Sequence, residues 1–460
     1  MARKFSRPSI LNSIERKFIL LVGDLLIIFS SINLFVNHAI DKEFISLDLK
    51  VFVFSFGILI YLGLSYILDF FNLEKVARRR YILSQSFYIT AIFVFLVFVF
   101  TVFIYDVSFW RIPLLSFLLL TPIEIWLWRL FFSNVFRIIP TVKKVFYVYD
   151  SNSEVSLREN IDYINGENTN TFYKVKLTHV MDGDSLSMEK KTFYEALEKI
   201  DTWILNVKDY NQIPRRLENV LLESILNGKE VLSYTSFYES IYEAMPIRSH
   251  YHSFYELLQL KNKKIRYLQV VFSFMVNFIL SFFIGIIFFL ICPIVWSFNL
   301  FLNRGPLFYT QFRVGQYGKE FKIYKFRSMV VDAEKNGAKM ASKNDSRITP
   351  FGKVLRTFRI DELPQILSVI QGNMAFIGPR PERKVFVEQL DGMLPFYSIR
   401  HLYKPGITGW AQVKYKYGED LQDSIRKLEY DLYYIKNKSI TLDLRIIFKT
   451  VTTVLFSRGI

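Results

Sequence analysis

The sequence predicts three consecutive parts: a membrane bundle of four α-helices, a small cytoplasmic α/β domain, and a charged, mainly α-helical C-terminal domain carrying a re-entrant membrane hairpin. Three observations predict this. Four apolar runs fill the first third of the chain, each close to the roughly 20 residues needed to cross about 30 Å of hydrocarbon. Apolar strands then alternate with helical spacing up to about residue 245. A fifth apolar run, Tyr267 to Leu302, contains Pro293 and has basic residues on both flanks. The 460 residues carry a formal net charge of +16 yet are 51% hydrophobic and 17% aromatic. Such charge and such hydrophobicity do not coexist in one soluble domain, so they are segregated along the chain.

The first four runs lie near Phe18 to Val36, Val51 to Phe71, Tyr81 to Tyr105 and Phe109 to Phe132, within a membrane region of residues 1–135. Arg3, Lys4, Arg7, Arg16 and Lys17 precede the first. Lys75 and Arg78 to Arg80 follow the second, and Arg137, Lys143 and Lys144 follow the fourth. The connections around Asp41 to Asp48 and Asp106 to Arg111 are poor in basic residues, so the positive-inside rule puts the N-terminus and everything after the fourth helix in the cytoplasm. The first run is too long for the core of a cleavable signal peptide, and none is expected. Asp24 and Glu124 lie within apolar runs, where ionisable groups are costly and raise a functional suspicion. Pairing inside the bundle, or a place near a membrane interface, accounts for both more simply.

Residues 141–245 change character. Val145 to Tyr149 and Thr202 to Val207 read as short buried strands, and Leu217, Val220, Leu221 and Ile225 have helical spacing. The first strand is where a dinucleotide fingerprint would follow, but Tyr149 to Ser153 contains no glycine. Without glycine the backbone cannot approach a pyrophosphate closely, so no dinucleotide site is expected there.

A straight helix over Tyr267 to Leu302 would reach roughly 54 Å, far beyond the hydrocarbon thickness, so it must break, tilt or turn, most naturally at Pro293. Lys261, Lys263, Lys264 and Arg266 stand before it; Arg304, Arg313, Lys319, Lys322 and Lys325 follow. Both ends therefore favour the cytoplasm, which predicts a hairpin that dips into the inner leaflet and returns. A fifth full crossing is the competing reading.

The charged motifs crowd into residues 303–460. In RIDELPQILSVIQG, Leu363, Ile366, Leu367 and Ile370 have helical spacing, Pro364 suits the first turn and Gly372 the end. Asp361 and Glu362 are thus expected at the start of a short amphipathic helix, where a carboxylate can simply cap free N–H groups. Lys322, Lys325, Arg327, Arg356 and Arg380 flank the same region, the last in a rigid Gly-Pro-Arg-Pro turn. Arginine grips phosphate oxygens bidentately. Anionic lipid headgroups would explain the cations but not the carboxylates.

Other chemistries are poorly represented. Cys292 is the single cysteine, which excludes an intrachain disulfide and a cysteine-based metal site. His250 and His252 read as surface residues, since no acidic cluster accompanies them. The basic charge fits nucleic acid, but no helix-turn-helix, RNP or zinc motif is present.

FYTQFRVGQYGKEFKIYKFRSMVVDAE, RITPFGKVLR, RIDELPQ, GNMAFIGPRPE and YKPGITGWAQV, in this order, resemble the catalytic domain of the bacterial sugar transferases, the polyprenyl-phosphate glycosyl-1-phosphate transferases, over residues 262–460. The four helices, the α/β region and SFYESIYEAMPI are similar to the layout of the family's long members, with their degenerate Rossmann-like domain. The resemblance implies a monotopic catalytic domain at the inner membrane that transfers a sugar-1-phosphate from a UDP-sugar to undecaprenyl phosphate. UMP is released, and the step opens the synthesis of an exopolysaccharide, capsule or O-antigen. Asp361 is then the nucleophile that forms an acyl phosphate, with Glu362 as its partner, and both would hold Mg²⁺. Arg356 and Arg380 match phosphate-contacting positions, with Lys325 and Arg327 beside them. Thr408, Gly409 and Gln412 are candidates for nucleotide contacts. Two displacements predict ping-pong kinetics.

Three departures from the family pattern stand out. Cys292 replaces a common Ser before Pro293, an Asp often found at the hairpin start is missing from KKIRYLQVVFS, and Arg359 stands where a small or polar residue is usual. An added cation there either lowers the acid pKa values or binds substrate phosphate. The alternative function is a non-catalytic membrane scaffold or regulator of polysaccharide assembly. Sugar identity stays open, as does whether the N-terminal regions tether, regulate or pair two copies as a homodimer.

Overall fold

The computed structural model describes residues 13–39, 47–67, 70–71, 79–104, 111–135, 143–150, 173–181, 200–207, 213–247, 267–333, 345–394, 396–415 and 421–455. The chain divides into two compact units, residues 1–143 and 144–460. The glycine-free stretch beyond Asp150, the His250 and His252 pair and the basic flank Lys261 to Arg266 lie outside the described residues.

Among the described residues of the first unit are four helices, α1 (Ser13–Ala39), α2 (Leu47–Ile67), α3 (Arg79–Ile104) and α4 (Arg111–Val135), one in each expected apolar run. Gly23 lets α1 approach α4, since a Cβ there would overlap the ring of Trp128. Asp24 is fully buried. It accepts a hydrogen bond from the Tyr61 hydroxyl at 3.1 Å and forms an ion pair with Arg129, whose Nε lies 3.3 Å from Asp24 Oδ1. Arg129 also donates to the Phe70 carbonyl at 2.6 Å. The Glu124 carboxylate accepts from Ser31 at 3.1 Å. Asp24 thus serves packing: a buried charge is tolerable when it is paired and its remaining lone pairs are satisfied.

The second unit begins with a four-stranded sheet of β1 (Lys143–Asp150), β2 (Tyr173–Met181), β3 (Thr202–Asn206) and β4 (Glu230–Ser233), in the order β2-β1-β3-β4. The β1·β3 and β3·β4 pairs are parallel. Every residue of β3 is buried, as expected when helices cover both faces. Phe146, Val148, Trp203 and Leu205 pack on Leu217, Val220 and Leu221 of α5 (Arg215–Leu226). Val145, Tyr147, Tyr149 and Ile204 pack on Tyr234, Phe237 and Tyr238 of α6 (Tyr234–Tyr242).

The segment from Tyr234 to Ile247 also binds the C-terminal helices. Tyr238 donates to the buried Glu429 carboxylate at 2.9 Å, and the Met245 amide donates to the Glu429 carbonyl at 3.0 Å. The Trp410 indole donates to the Glu243 carbonyl at 2.9 Å, while Arg445 pairs with the Glu243 carboxylate at 3.2 Å.

Helix α7 (Tyr267–Leu302) is one helical element and contains Pro293, the residue expected to bend it. A proline removes one N–H from the ladder, not the whole helix. The Ser297 hydroxyl donates to the Pro293 carbonyl at 2.9 Å, and Ile291, Cys292 and Val295 pack around Phe326 and Leu355, holding the turns on either side. Residues 269–302 form, among the described residues, the one helix long and apolar enough to cross a membrane. One face of it lies on the C-terminal domain: Leu280, Ile284 and Phe288 pack against Phe321, Ile323, Ile366 and Phe376, and the Asn277 side chain accepts the Phe376 amide at 2.8 Å. Phe274, Phe278, Phe282 and Phe289 of the other face are between 60% and 78% exposed.

After α7 come an antiparallel hairpin of β5 (Phe308–Val314) and β6 (Glu320–Phe326), then α8 (Pro350–Thr357) and α9 (Ile366–Ile370). Strands β7 (Ala375–Ile377) and β8 (Gly406–Thr408) form a short parallel pair. Helix α10 (Lys384–Met393) lies between them in the chain, and α11 (Trp410–Lys414), α12 (Leu421–Asn437) and α13 (Ile440–Leu455) follow. Trp410, Leu428, Leu432, Tyr434, Ile435 and Ile446 form the core. The two sheets add strands to a domain expected to be mainly helical.

Candidate active site

Asp361 and Glu362 do not begin an α-helix. They lie in a tight 3₁₀ turn, Ile360–Gln365, and α-helical geometry begins only at Ile366. Pro364 has no N–H, so it gives neither an α bond to the Ile360 carbonyl nor a 3₁₀ bond to that of Asp361. Neither carboxylate caps the turn, which is preceded by Arg359 in the left-handed region at φ 55°. The expected cap role is therefore not the one they fill. Gly372, at φ 77°, ends α9 as expected: its amide bonds to the Val369 carbonyl and the Asn373 amide to that of Ser368.

The two acids differ sharply in their surroundings. Glu362 Oε1 accepts hydrogen bonds from Lys325 Nζ at 3.0 Å and Arg380 Nη2 at 3.1 Å, and Arg359 Nη1 stands 3.8 Å from Oε2. Burial alone would raise its pKa, but Lys325, Arg380 and Arg359 together hold it well below the usual carboxylate range. Asp361 is buried, and among the described residues its carboxylate accepts no hydrogen bond. Burial pushes its pKa up to about 6; Glu362 pushes the same way, against the pull of Lys325, Arg356 and Arg380. One acid is an anchored anion, the other a desolvated and uncommitted one.

Each cation arrives on a separate element. Lys325 is near the end of β6, Arg356 is in the last turn of α8, and Arg380 is in the loop after β7. Thr349 accepts the Gly352 amide at 3.0 Å and so caps α8, while Ser328 accepts from Arg356 Nε at 2.9 Å. The Arg380 loop is fixed by backbone contact. The Gly378 amide donates to the Thr408 carbonyl and the Gly406 amide to that of Pro379, both at 2.9 Å. A Cβ on Gly378 or Gly409 would collide with the facing backbone, so only glycine permits this approach.

The structure brings Asp361, Glu362, Lys325 and Arg380 together, with Arg356 beside them electrostatically. It does not bring Arg327. That guanidinium is buried and donates to the Pro306 carbonyl at 2.8 Å, to the Asn303 side chain at 3.2 Å and to the carbonyls of Met329 and Asn303. Its donors hold the chain that leaves α7, so the expected phosphate contact is corrected to a structural one. Thr408 shares a hydrogen bond with Thr450 at 2.7 Å, and Gln412 donates to the Ile407 carbonyl at 3.2 Å. With Gly409 these two residues stand at the base of the Arg380 loop, not on the acids. Pro293 lies in the part of α7 that packs on Phe326 and Leu355.

Three supporting residues had no sequence signal beyond being charged. Arg400 donates to the Arg380 carbonyl at 3.0 Å and to Asp431 at 2.8 Å, and Arg313 reaches the Pro381 carbonyl at 3.3 Å. Among the described residues, no group of three or more His, Cys, Asp or Glu could hold a metal ion. The donor set suits a hard cation only at Asp361, completed by a ligand's oxygens. Glu362, faced by three cations, does not suit one.

Residues 268–457 match the family described as bacterial sugar transferase. The chain is 51% identical over 157 residues to a UDP-N-acetylgalactosamine-undecaprenyl-phosphate N-acetylgalactosaminephosphotransferase of Aeromonas hydrophila, covering 34% of this chain and 37% of the relative. A UDP-glucose:undecaprenyl-phosphate glucose-1-phosphate transferase of Escherichia coli (strain K12) is 41% identical over 151 residues, 32% of each chain. An exopolysaccharide production protein of Rhizobium leguminosarum bv. phaseoli is 42% identical over 165 residues, 34% of this chain and 81% of the relative. The matches therefore span about a third of the first two relatives and most of the third.

Proposed function

The chain belongs to the bacterial sugar transferase family, and on that premise we propose that it transfers a sugar-1-phosphate from a UDP-sugar to undecaprenyl phosphate at the cytoplasmic membrane face. The product is an undecaprenyl-diphosphate sugar, the first lipid-linked unit of a surface polysaccharide. One observation carries the reading: a buried, unpaired carboxylate at Asp361 beside a carboxylate ringed by cations at Glu362.

In the first step an Asp361 carboxylate oxygen attacks the sugar-bearing phosphorus. The anhydride bond to the nucleotide phosphate breaks, and UMP leaves with the bridging oxygen and its electron pair. In the second, an oxygen of the lipid phosphate attacks that phosphorus, and the bond to Asp361 breaks, restoring the carboxylate. No proton is gained or lost. Lys325, Arg356 and Arg380 offset repulsion between the attacking carboxylate and the diphosphate. Desolvation makes Asp361 a stronger nucleophile than an exposed carboxylate. Asp361 would hold Mg²⁺, which supplies further charge neutralisation on the diphosphate oxygens.

The same reading accounts for α7. Its contacts with the domain run from Asn277 to Val295, about 27 Å of helix, so an upright crossing would carry charged parts of the domain into the hydrocarbon. A helix that enters and leaves the inner leaflet, bent near Pro293, keeps its exposed phenylalanines in lipid and the acid pair outside the hydrocarbon. The four N-terminal helices are read as crossings.

The test is UMP release from a panel of UDP-sugars with undecaprenyl phosphate and Mg²⁺. Asp361→Asn, close in size, is expected to abolish release and the acid-stable labelling of the protein by [³²P]UDP-sugar. Turnover by that variant at the wild-type rate would end the nucleophile assignment.

A further inference from the structure

Arg359 plays no part in the steps above, and its setting is unusual. It is a non-glycine residue in the left-handed region, a conformation that costs about 1 kcal/mol or more and persists where the surroundings impose it. Its guanidinium stands on the Oε2 side of Glu362, opposite the Oε1 atom shared by Lys325 and Arg380. At 3.8 Å that contact is too long for a hydrogen bond, and among the described residues no hydrogen bond commits the guanidinium elsewhere. The side chain is about a third exposed, at 35%.

Two exposed apolar side chains precede it. Phe358 is 66% exposed and Val354, one turn earlier on α8, is 49% exposed. Leu355 packs on Val295 of α7, and the rings of Phe351 and Phe298 lie 5.9 Å apart, which ties α8 to the long apolar helix. A partly exposed guanidinium that makes, among the described residues, no hydrogen bond and only a long ion pair with Glu362, directly after exposed Phe358 at the end of a helix joined to α7, matches a phosphomonoester on a hydrocarbon chain. A nucleotide sugar has no such apolar tail.

We propose that Arg359 binds the phosphate of the lipid acceptor, with Phe358 and Val354 against the first part of its chain. Glu362 then separates two cationic subsites: Lys325 and Arg380 for the donor diphosphate, and Arg359 for the acceptor. This division suits a two-step transfer in which donor and acceptor approach one nucleophile in turn. The inference rests on the transferase reading.

The experiment measures both KM values for Arg359→Gln, Arg359→Lys and Phe358→Ser with undecaprenyl phosphate in neutral detergent micelles free of phospholipid. Loss of a charge-assisted contact to phosphate should raise the KM for undecaprenyl phosphate roughly ten- to a hundredfold in Arg359→Gln, with a change under about threefold for the UDP-sugar. Arg359→Lys should recover part of the loss, and Phe358→Ser should raise only the lipid KM. A raised UDP-sugar KM with an unchanged lipid KM overturns the proposal. So does an unchanged pair of KM values with weaker binding to phosphatidylglycerol vesicles, which would make Arg359 a contact for bulk headgroups. Wild-type protein that releases no UMP when lipid acceptor is withheld overturns the covalent transferase reading itself, whatever Arg359 does.

Discussion

Arg400 donates a hydrogen bond to the backbone carbonyl of Arg380 at 3.0 Å, so the arginine that faces Glu362 is held from behind by a second, buried arginine. Asp431 on α12 fixes Arg400 in turn at 2.8 Å, and the Tyr397 hydroxyl accepts from it. Arg400 is thus a positioning residue that acts through Arg380. Changing Arg400 alone would strand the Asp431 charge and cost about 3–5 kcal/mol of stability. The paired change Arg400→Gln with Asp431→Asn avoids that. It should lower kcat/KM for the UDP-sugar roughly tenfold in the Arg380 background and less than about twofold beside Arg380→Gln, as a double-mutant cycle reads it. Equal losses in both backgrounds would show that Arg400 acts by another route.

The pKa of Asp361, near 6, predicts a pH limb. Its ionised form is the nucleophile, and a raised pKa means that this form is lost as pH falls through about 6. The rate of UMP release should therefore decline about tenfold per pH unit below that point. Glu362 raises this pKa, so Glu362→Gln should move the limb to lower pH even where it reduces the maximal rate. A rate level down to pH 5 would contradict the assignment.

Arg327 should behave as a stability residue. Arg327→Ala leaves the carbonyls of Pro306, Met329 and Asn303 without their donor, and each buried group stranded in this way costs about 1–3 kcal/mol. The expected outcome is a clear fall in the thermal midpoint with KM for the UDP-sugar altered less than about threefold. Intact stability with a tenfold rise in KM would return Arg327 to the phosphate site.

The α/β strands, the four apolar helices and the long apolar run were legible in the sequence, because helix and strand periodicity and long apolar stretches are local properties. The motif order also pointed to the acid pair and to the cations Arg356, Arg380 and Lys325, of which Lys325 and Arg380 bond Glu362. The sequence could not say which of several nearby basic residues would face the acids. Arg327 and Lys325 are two positions apart on nearly adjacent backbone, yet one ties down the chain after α7 and the other binds Glu362. That division depends on where the β5–β6 hairpin, α7 and the Gly378 loop come to rest, which is a matter of packing between distant segments. Packing also decided that Asp361 would be desolvated without a partner while Glu362 took three, a contrast invisible in two adjacent letters. The apolar pattern determined which elements form; burial and long-range hydrogen bonds determined what each charge is for.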